Sequence, residues 1–254
     1  RSNVLALSLF DLEVGEFQTA ARRMKQYVHS LDQPAMEDWL AYARFLRRSG
    51  QTDQSMAAYR QAIENQPSDS TRAARELADW HYQLGNYVAA TGLFEQIYEQ
   101  SEDVAIWQRM IETQIRTGQF DQAEENLRQL VAEDEPSAQS ALLEGMLAMA
   151  RGNNDQALSA LNQAVQLAPN NPQVYFYRAR FRMDSASSVV QQLVREDLEQ
   201  AITLDPNMIL PRMMLAQWYA NQQAITSAAA ELNKLMQVHP TYIPARRQLA
   251  EFYL

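Results

Sequence analysis

The sequence predicts an all-α fold, a solenoid of stacked antiparallel helix pairs. Three observations lead there. Glycines recur at a near-constant period: Gly15, Gly50, Gly85, Gly118 and Gly152 lie 35, 35, 33 and 34 residues apart. Small residues recur in pairs, twelve positions apart, on either side of the turn. Apolar residues between them follow helical spacing. A fixed period of this length marks a helical repeat array.

Taken in order, the first unit (1–35) places Ser8 and Ala20 around Gly15, which leads into Glu16-Phe17. The second (36–70) is the fullest. Trp39, Tyr42, Ala43 and Leu46 share one helix face, and after Gly50 the residues Ser55, Tyr59 and Ala62 mark the inner face of a second helix. Gly accepts the φ > 0 of a helix-ending turn, and Pro67 is expected to end the second helix. The third unit (71–103) pairs Ala78 with Ala90 around Gly85. The fourth (104–137) pairs Ile111 with Ala123, a larger first member. The fifth (138–171) pairs Gly145 with Ala157. A small side chain on each helix is what a close crossing needs.

The sixth unit (172–208) breaks the spacing. Ala179 and Val194 stand fifteen apart, with a Ser-rich insertion at Asp184-Ser185-Ala186-Ser187-Ser188-Val189 and no turn Gly. The seventh (209–242) keeps Leu215, Ala216, Tyr219, Ala228, Leu232, Leu235 and Pro240, but has Asn221-Gln222-Gln223 at its turn. A terminal helix (243–254) carries Leu249, Ala250 and Tyr253 on one face and is expected to pack back on the seventh unit.

These residues, Trp39…Tyr42-Ala43…Leu46…Gly50…Ser55…Tyr59…Ala62…Pro67 and their counterparts, resemble the tetratricopeptide repeat. The resemblance runs from about Val4 to Leu254, as one array of about seven repeats and a final helix. It departs from the pattern at Ile111, at the missing glycines, and at Glu102 and Glu135, where Pro often closes a unit. It implies a right-handed superhelix whose first helices line a concave groove, and a protein-binding scaffold or adaptor that holds an extended or helical segment of a partner there. Arrays that clamp the C-terminal carboxylate of heat-shock chaperones carry Lys, Asn and Arg on three consecutive first helices. Here Leu40, Arg44, Arg75 and Glu76 stand in that region and the Asn members are missing, so that activity is not expected.

On the first helices, the positions off the buried face form two sets. Units two to four supply Leu40, Arg44, Arg47, Arg48, Arg72, Arg75, Asp79, Tyr82, Arg109, Glu112 and Arg116, a basic set in a chain of net charge −9. Units five to seven supply Leu142, Met146, Met149, Phe176, Tyr177, Arg180, Met183, Leu210, Met213, Met214 and Gln217. Methionine adapts to varied apolar partners, and Tyr and Arg anchor interfaces. The expected groove is therefore bipartite, Arg-rich for an acidic segment and Met-rich for an apolar one. The alternatives are that the Arg residues pair with Glu76, Asp79 and Glu112, and that the Met residues pack between repeats. Trp39, Trp80, Trp107 and Trp218 read as packing.

Chemistry is not expected. With no cysteine there is no disulfide, thiolate or Cys-type zinc site. His29, His81 and His239 fall in different units without metal-binding spacing, so no metal and no cofactor are expected; His81 reads as a core histidine. Neighbouring acids such as Glu124-Glu125 and Glu196-Asp197 diverge around a helix and make poor acid–base pairs. There is no phosphate loop or nucleophile elbow, and no enzyme activity is assigned. The acidic balance argues against nucleic acid as a partner. No apolar run approaches the ~20 residues that span a bilayer, so direct membrane insertion by this segment is not expected. Arg1-Ser2-Asn3-Val4 shows no targeting pattern, and the chain is expected to begin inside a longer protein. The competing function is a structural spacer or oligomerisation module, self-associating through its open ends. A bacterial cell-envelope assembly or export system in the periplasm is one setting, with the cytoplasm as the alternative.

Overall fold

The computed structural model describes residues 2–65, 70–133, 136–184, 186–240 and 242–252; Arg1, Pro67, Glu135, Ser185, Tyr253 and Leu254 lie outside them. The described elements are all α-helical. They gather into two compact units, Arg1–Gln119 and Phe120–Leu254, divided inside the fourth predicted repeat.

The first unit contains α1 (Ser2–Glu13), α2 (Phe17–His29), α3 (Met36–Arg48), α4 (Thr52–Asn65), α5 (Thr71–Gln83), α6 (Tyr87–Ser101) and α7 (Val104–Arg116). Within it α1 pairs with α2, α3 with α4 and α5 with α6, and each second helix also meets the next first helix. The small residues explain the close crossings. Ala20, Ala43, Ser55, Ala78 and Ala90 are completely buried. Ser55 carries a hydroxyl into that contact without penalty because it donates to the Ala43 carbonyl at 2.8 Å. Around them Met24, Leu46, Tyr59, Leu77 and Phe94 fill the core.

The glycine turns are Schellman caps. Gly50 sits at φ 76°. Its N–H reaches the Arg47 carbonyl at 3.2 Å while the Gln51 N–H reaches Leu46 at 2.9 Å. A helix stop without Pro follows α6. Glu102 takes φ 49°, in the left-handed region. Asp103 then caps α7 by accepting from the Ala105 N–H at 2.8 Å.

The second unit contains α8 (Phe120–Glu133), α9 (Ala138–Arg151), α10 (Asn154–Leu167), α11 (Pro172–Arg182), α12 (Ser188–Leu204), α13 (Ile209–Asn221), α14 (Ile225–Val238) and α15 (Ile243–Phe252). The pairs are α9 with α10, α11 with α12 and α13 with α14; α15 packs on α14 through Ala245, Leu249 and Phe252. Pro172 opens α11, where Asn171 accepts from the Gln173 N–H at 3.0 Å. The insertion lengthens the sixth pair's second helix, α12, to 17 residues. In the seventh pair Gln223 adopts φ 60° and the Ala224 N–H bonds the Tyr219 carbonyl at 2.9 Å. A glutamine therefore makes the turn that glycine makes elsewhere.

Candidate functional site

The basic set of the first unit lies on α3, α5 and α7, and most of it is already paired. Arg44 grips the Glu76 carboxylate with two nitrogens, its Nε at 3.0 Å from Oε2. The Tyr59 hydroxyl donates to the same oxygen at 3.2 Å. Burial alone would raise the Glu76 pKa; the Arg44 hydrogen bond and charge, Tyr59 and Arg72 outweigh it and hold the carboxyl below its usual range. Arg72 reaches Glu37 at 2.5 Å, and Arg75 reaches Asp103 at 3.4 Å. Glu112, buried, takes Arg116 at 2.8 Å, Arg109 at 3.5 Å and the Tyr82 hydroxyl at 2.5 Å. Neighbouring acids thus neutralise much of the basic set. Asp79 forms no ion pair among the described residues.

Two arginines stand outside that pattern. Arg47 stacks over Trp80, 4.3 Å from the ring centroid, and donates to Gln83 at 2.7 Å. Arg48 is exposed and forms no ion pair among the described residues. Together with Arg44 they rim an open cavity of about 680 Å³ whose apolar wall is Leu9, Leu12, Ala41 and Phe45. Leu9 and Leu12 come from α1. Sequence reasoning missed them because it assigned the groove to units two to seven. Leu40, read as groove-facing, is fully buried.

In the second unit the predicted apolar set divides. Met149, Arg180, Met183 and Met214 converge on one open cavity of about 890 Å³. Leu158, Phe181, Val190 and Leu193 complete its apolar wall. Met146, Phe176 and Tyr177 are not on that surface; they are buried at 7%, 5% and 7% exposure. The reason is that α11 is packed by α9, α10 and α12, so adjacent Phe176 and Tyr177 can point to different sides and both be covered. Met213 packs into the cluster of Ala216, Leu232 and Leu235. Leu142 is likewise buried, whereas Leu210 is exposed.

Three arginines of α11 meet few acids. Arg178 binds Asp197 at 2.6 Å and Arg182 binds it at 2.9 Å. Burial pulls the Arg182 pKa below its ordinary value, and Asp197 works in the opposite direction. Arg180 is exposed and forms no ion pair among the described residues; Asp184 is the acid on the same cavity wall.

His81 is buried on α5, and burial, then the Arg60 charge, lowers its pKa. Among the described residues no group of three His, Asp or Glu is placed to hold a metal ion. No described helix is long and apolar enough to cross a membrane.

The family model described as Tetratricopeptide repeat matches residues 110–172 and 142–185, and a second model of that description matches 36–79. No curated protein matches the sequence. Among solved structures, the chain is similar to a tetratricopeptide repeat protein from Parabacteroides merdae. Identity is 15% and the TM-score 0.75, with 100% of this chain and 98% of that one covered. A thermophilic TPR protein of Thermus thermophilus is 22% identical at TM-score 0.63, with 72% and 98% covered. Yeast Tom70 is 14% identical at TM-score 0.66; 98% of this chain matches 53% of Tom70, so the chain spans about half its length.

Proposed function

A tetratricopeptide-repeat protein by its repeats and its fold, the chain works, we propose, by holding an extended or helical segment of a partner protein against its first helices. Scaffolding of protein–protein contacts is the general work of this fold. The finer reading rests on one observation, the cavity of the first unit. It joins an apolar wall from Leu9, Leu12 and Phe45 to a rim of Arg44, Arg47 and Arg48. Its volume of about 680 Å³ is in the range of binding pockets. Glu76 takes one of the three positive charges, which leaves a net positive rim in a chain of net charge −9. That combination suits a segment with an apolar side chain beside a carboxylate. The paired arginines Arg72, Arg75, Arg109 and Arg116 position the helices and add little free charge.

The test compares wild type with a Leu9→Asp/Arg48→Glu double variant. Both side chains are exposed, so the helical circular-dichroism signal should not change. Partners are captured from the source organism's lysate, and binding of the captured segment is then measured by fluorescence anisotropy. Loss of binding in the folded double variant supports the reading. Equal binding by both proteins removes the first-unit cavity from the proposal.

A second reading is self-association, favoured by the apolar face of α1. Leu7 and Phe10 on α1 and Val14 just after it follow helical spacing and keep 52%, 59% and 55% exposure, and Phe17, which opens α2, keeps 43%. Sedimentation equilibrium distinguishes it: a dimer mass that Phe10→Asp returns to monomer is the expected result of this reading.

A further inference from the structure

We infer that the cavity around the sixth pair is a separate reading site for a peptide that presents a bulky apolar side chain next to Asp or Glu. The inference rests on the partner-holding function proposed above and assigns chemistry to a second place. Its basis is the second unit alone. The ends of α9 and α11 and the side of α13 bring Met149, Met183 and Met214 to one open wall. The start of α12, which follows the insertion, supplies further apolar lining. The turn spacing grows from twelve residues to fifteen, α12 begins at Ser188, and Val190 and Leu193 line the same cavity as the methionines. The Gln191 side-chain amide donates to the Met183 carbonyl at 2.8 Å and ties α12 to the end of α11.

The charge selects the occupant. α11 carries Arg178, Arg180 and Arg182, while among the described residues Asp197 alone receives an ion pair from them. Counting Asp184 as well, the cluster holds three positive and two negative charges. The surplus charge is on Arg180, the exposed member at the cavity wall. A purely apolar occupant would leave that guanidinium, which forms no ion pair among the described residues, without a partner in the complex. An acid next to the apolar anchor satisfies both, and flexible Met side chains accept anchors of different shape.

The site carries its own probes, the methyl groups of Met149, Met183 and Met214. The full chain, labelled at methionine methyls, is titrated by NMR with a blocked peptide carrying Leu, Phe and paired Glu. The same peptide with Lys in place of Glu is the comparison. The Glu peptide should shift those three methyls selectively, and Arg180→Glu should weaken it roughly fivefold and reverse the preference between peptides, as an exposed charge pair allows. Equal binding of both peptides, shifts confined to other methionines, or no shift at all overturns the inference. Partner capture that survives Arg180→Glu but not Leu9→Asp/Arg48→Glu keeps the scaffold reading while this inference falls. Capture that survives both variants, with the Glu-selective shifts present, removes the first-unit cavity from the proposal while this inference stands.

Discussion

Glu76 ties three helices together, and removing its charge should separate stability from binding. It accepts from Arg44 on α3 and Tyr59 on α4, with Arg72 on its own helix 3.9 Å away. The pair is partly open to water, since the Arg44 and Glu76 side chains keep 43% and 27% exposure. Solvent therefore screens it, and an Arg44–Glu76 coupling of about 0.5–1 kcal/mol is expected, at the upper end for exposed pairs. Glu76→Gln loses the charge toward Tyr59 and Arg72 as well, so its total cost is about 1–2 kcal/mol. For a chain of this size that lowers Tm by roughly 2–8 °C. The assay is a double-mutant cycle, wild type, Arg44→Gln, Glu76→Gln and the double variant, by urea unfolding at pH 7 and again in acid. The folded Glu76 pKa is depressed. Its stabilisation is then complete above the unfolded value, about 4.3, and disappears as pH falls through the lower folded value. Coupling should be present at pH 7 and absent well below that folded value. A cycle that closes at zero at pH 7, or a coupling unchanged in acid, refutes the ion pair as a stabilising contact. The same variant frees Arg44 at the rim of the first cavity, so binding of an acidic segment should strengthen while stability drops.

Three further outcomes follow from geometry. Gln223→Gly should stabilise the protein by about 0.5–1 kcal/mol, because a side chain at φ 60° is strained where glycine is not; a lower Tm contradicts this. Gly145→Ala should destabilise by about 1 kcal/mol despite alanine's better helix propensity, since the new Cβ would lie 2.8 Å from Leu161 Cγ and Cδ2. A gain in thermal stability would show that α10 yields easily there. His81 is held neutral by burial, its folded pKa below the unfolded value of about 6.5. Its contribution is complete above the unfolded value and is lost as pH falls toward the folded one, so His81→Gln should flatten that part of a Tm–pH profile.

The sequence by itself determined the repeat. Gly50 and its counterparts, the twelve-residue small pairs and the apolar stripes are local requirements of a tight cap and a close crossing, so they can be read along one chain. The three-residue insertion before α12 was legible for the same reason, as a broken interval. The turn at Gln223 was locatable, but its left-handed conformation was not, since only neighbouring helices can force a glutamine there. The division at Gln119 leaves no mark in a period that runs through it. Most of the candidate surface was decided by tertiary structure. Helical spacing told which residues leave the pair's own core; it could not tell which neighbours cover them. Met149 and Met146 lie on the same helix, yet one reaches the open wall and the other is buried. Arg44 and Arg48 are alike in sequence, but Arg44 finds Glu76 on the next first helix, 32 residues away, and Arg48 finds no acid among the described residues. Burial and charge pairing are properties of several helices at once, so only the packed structure assigns them.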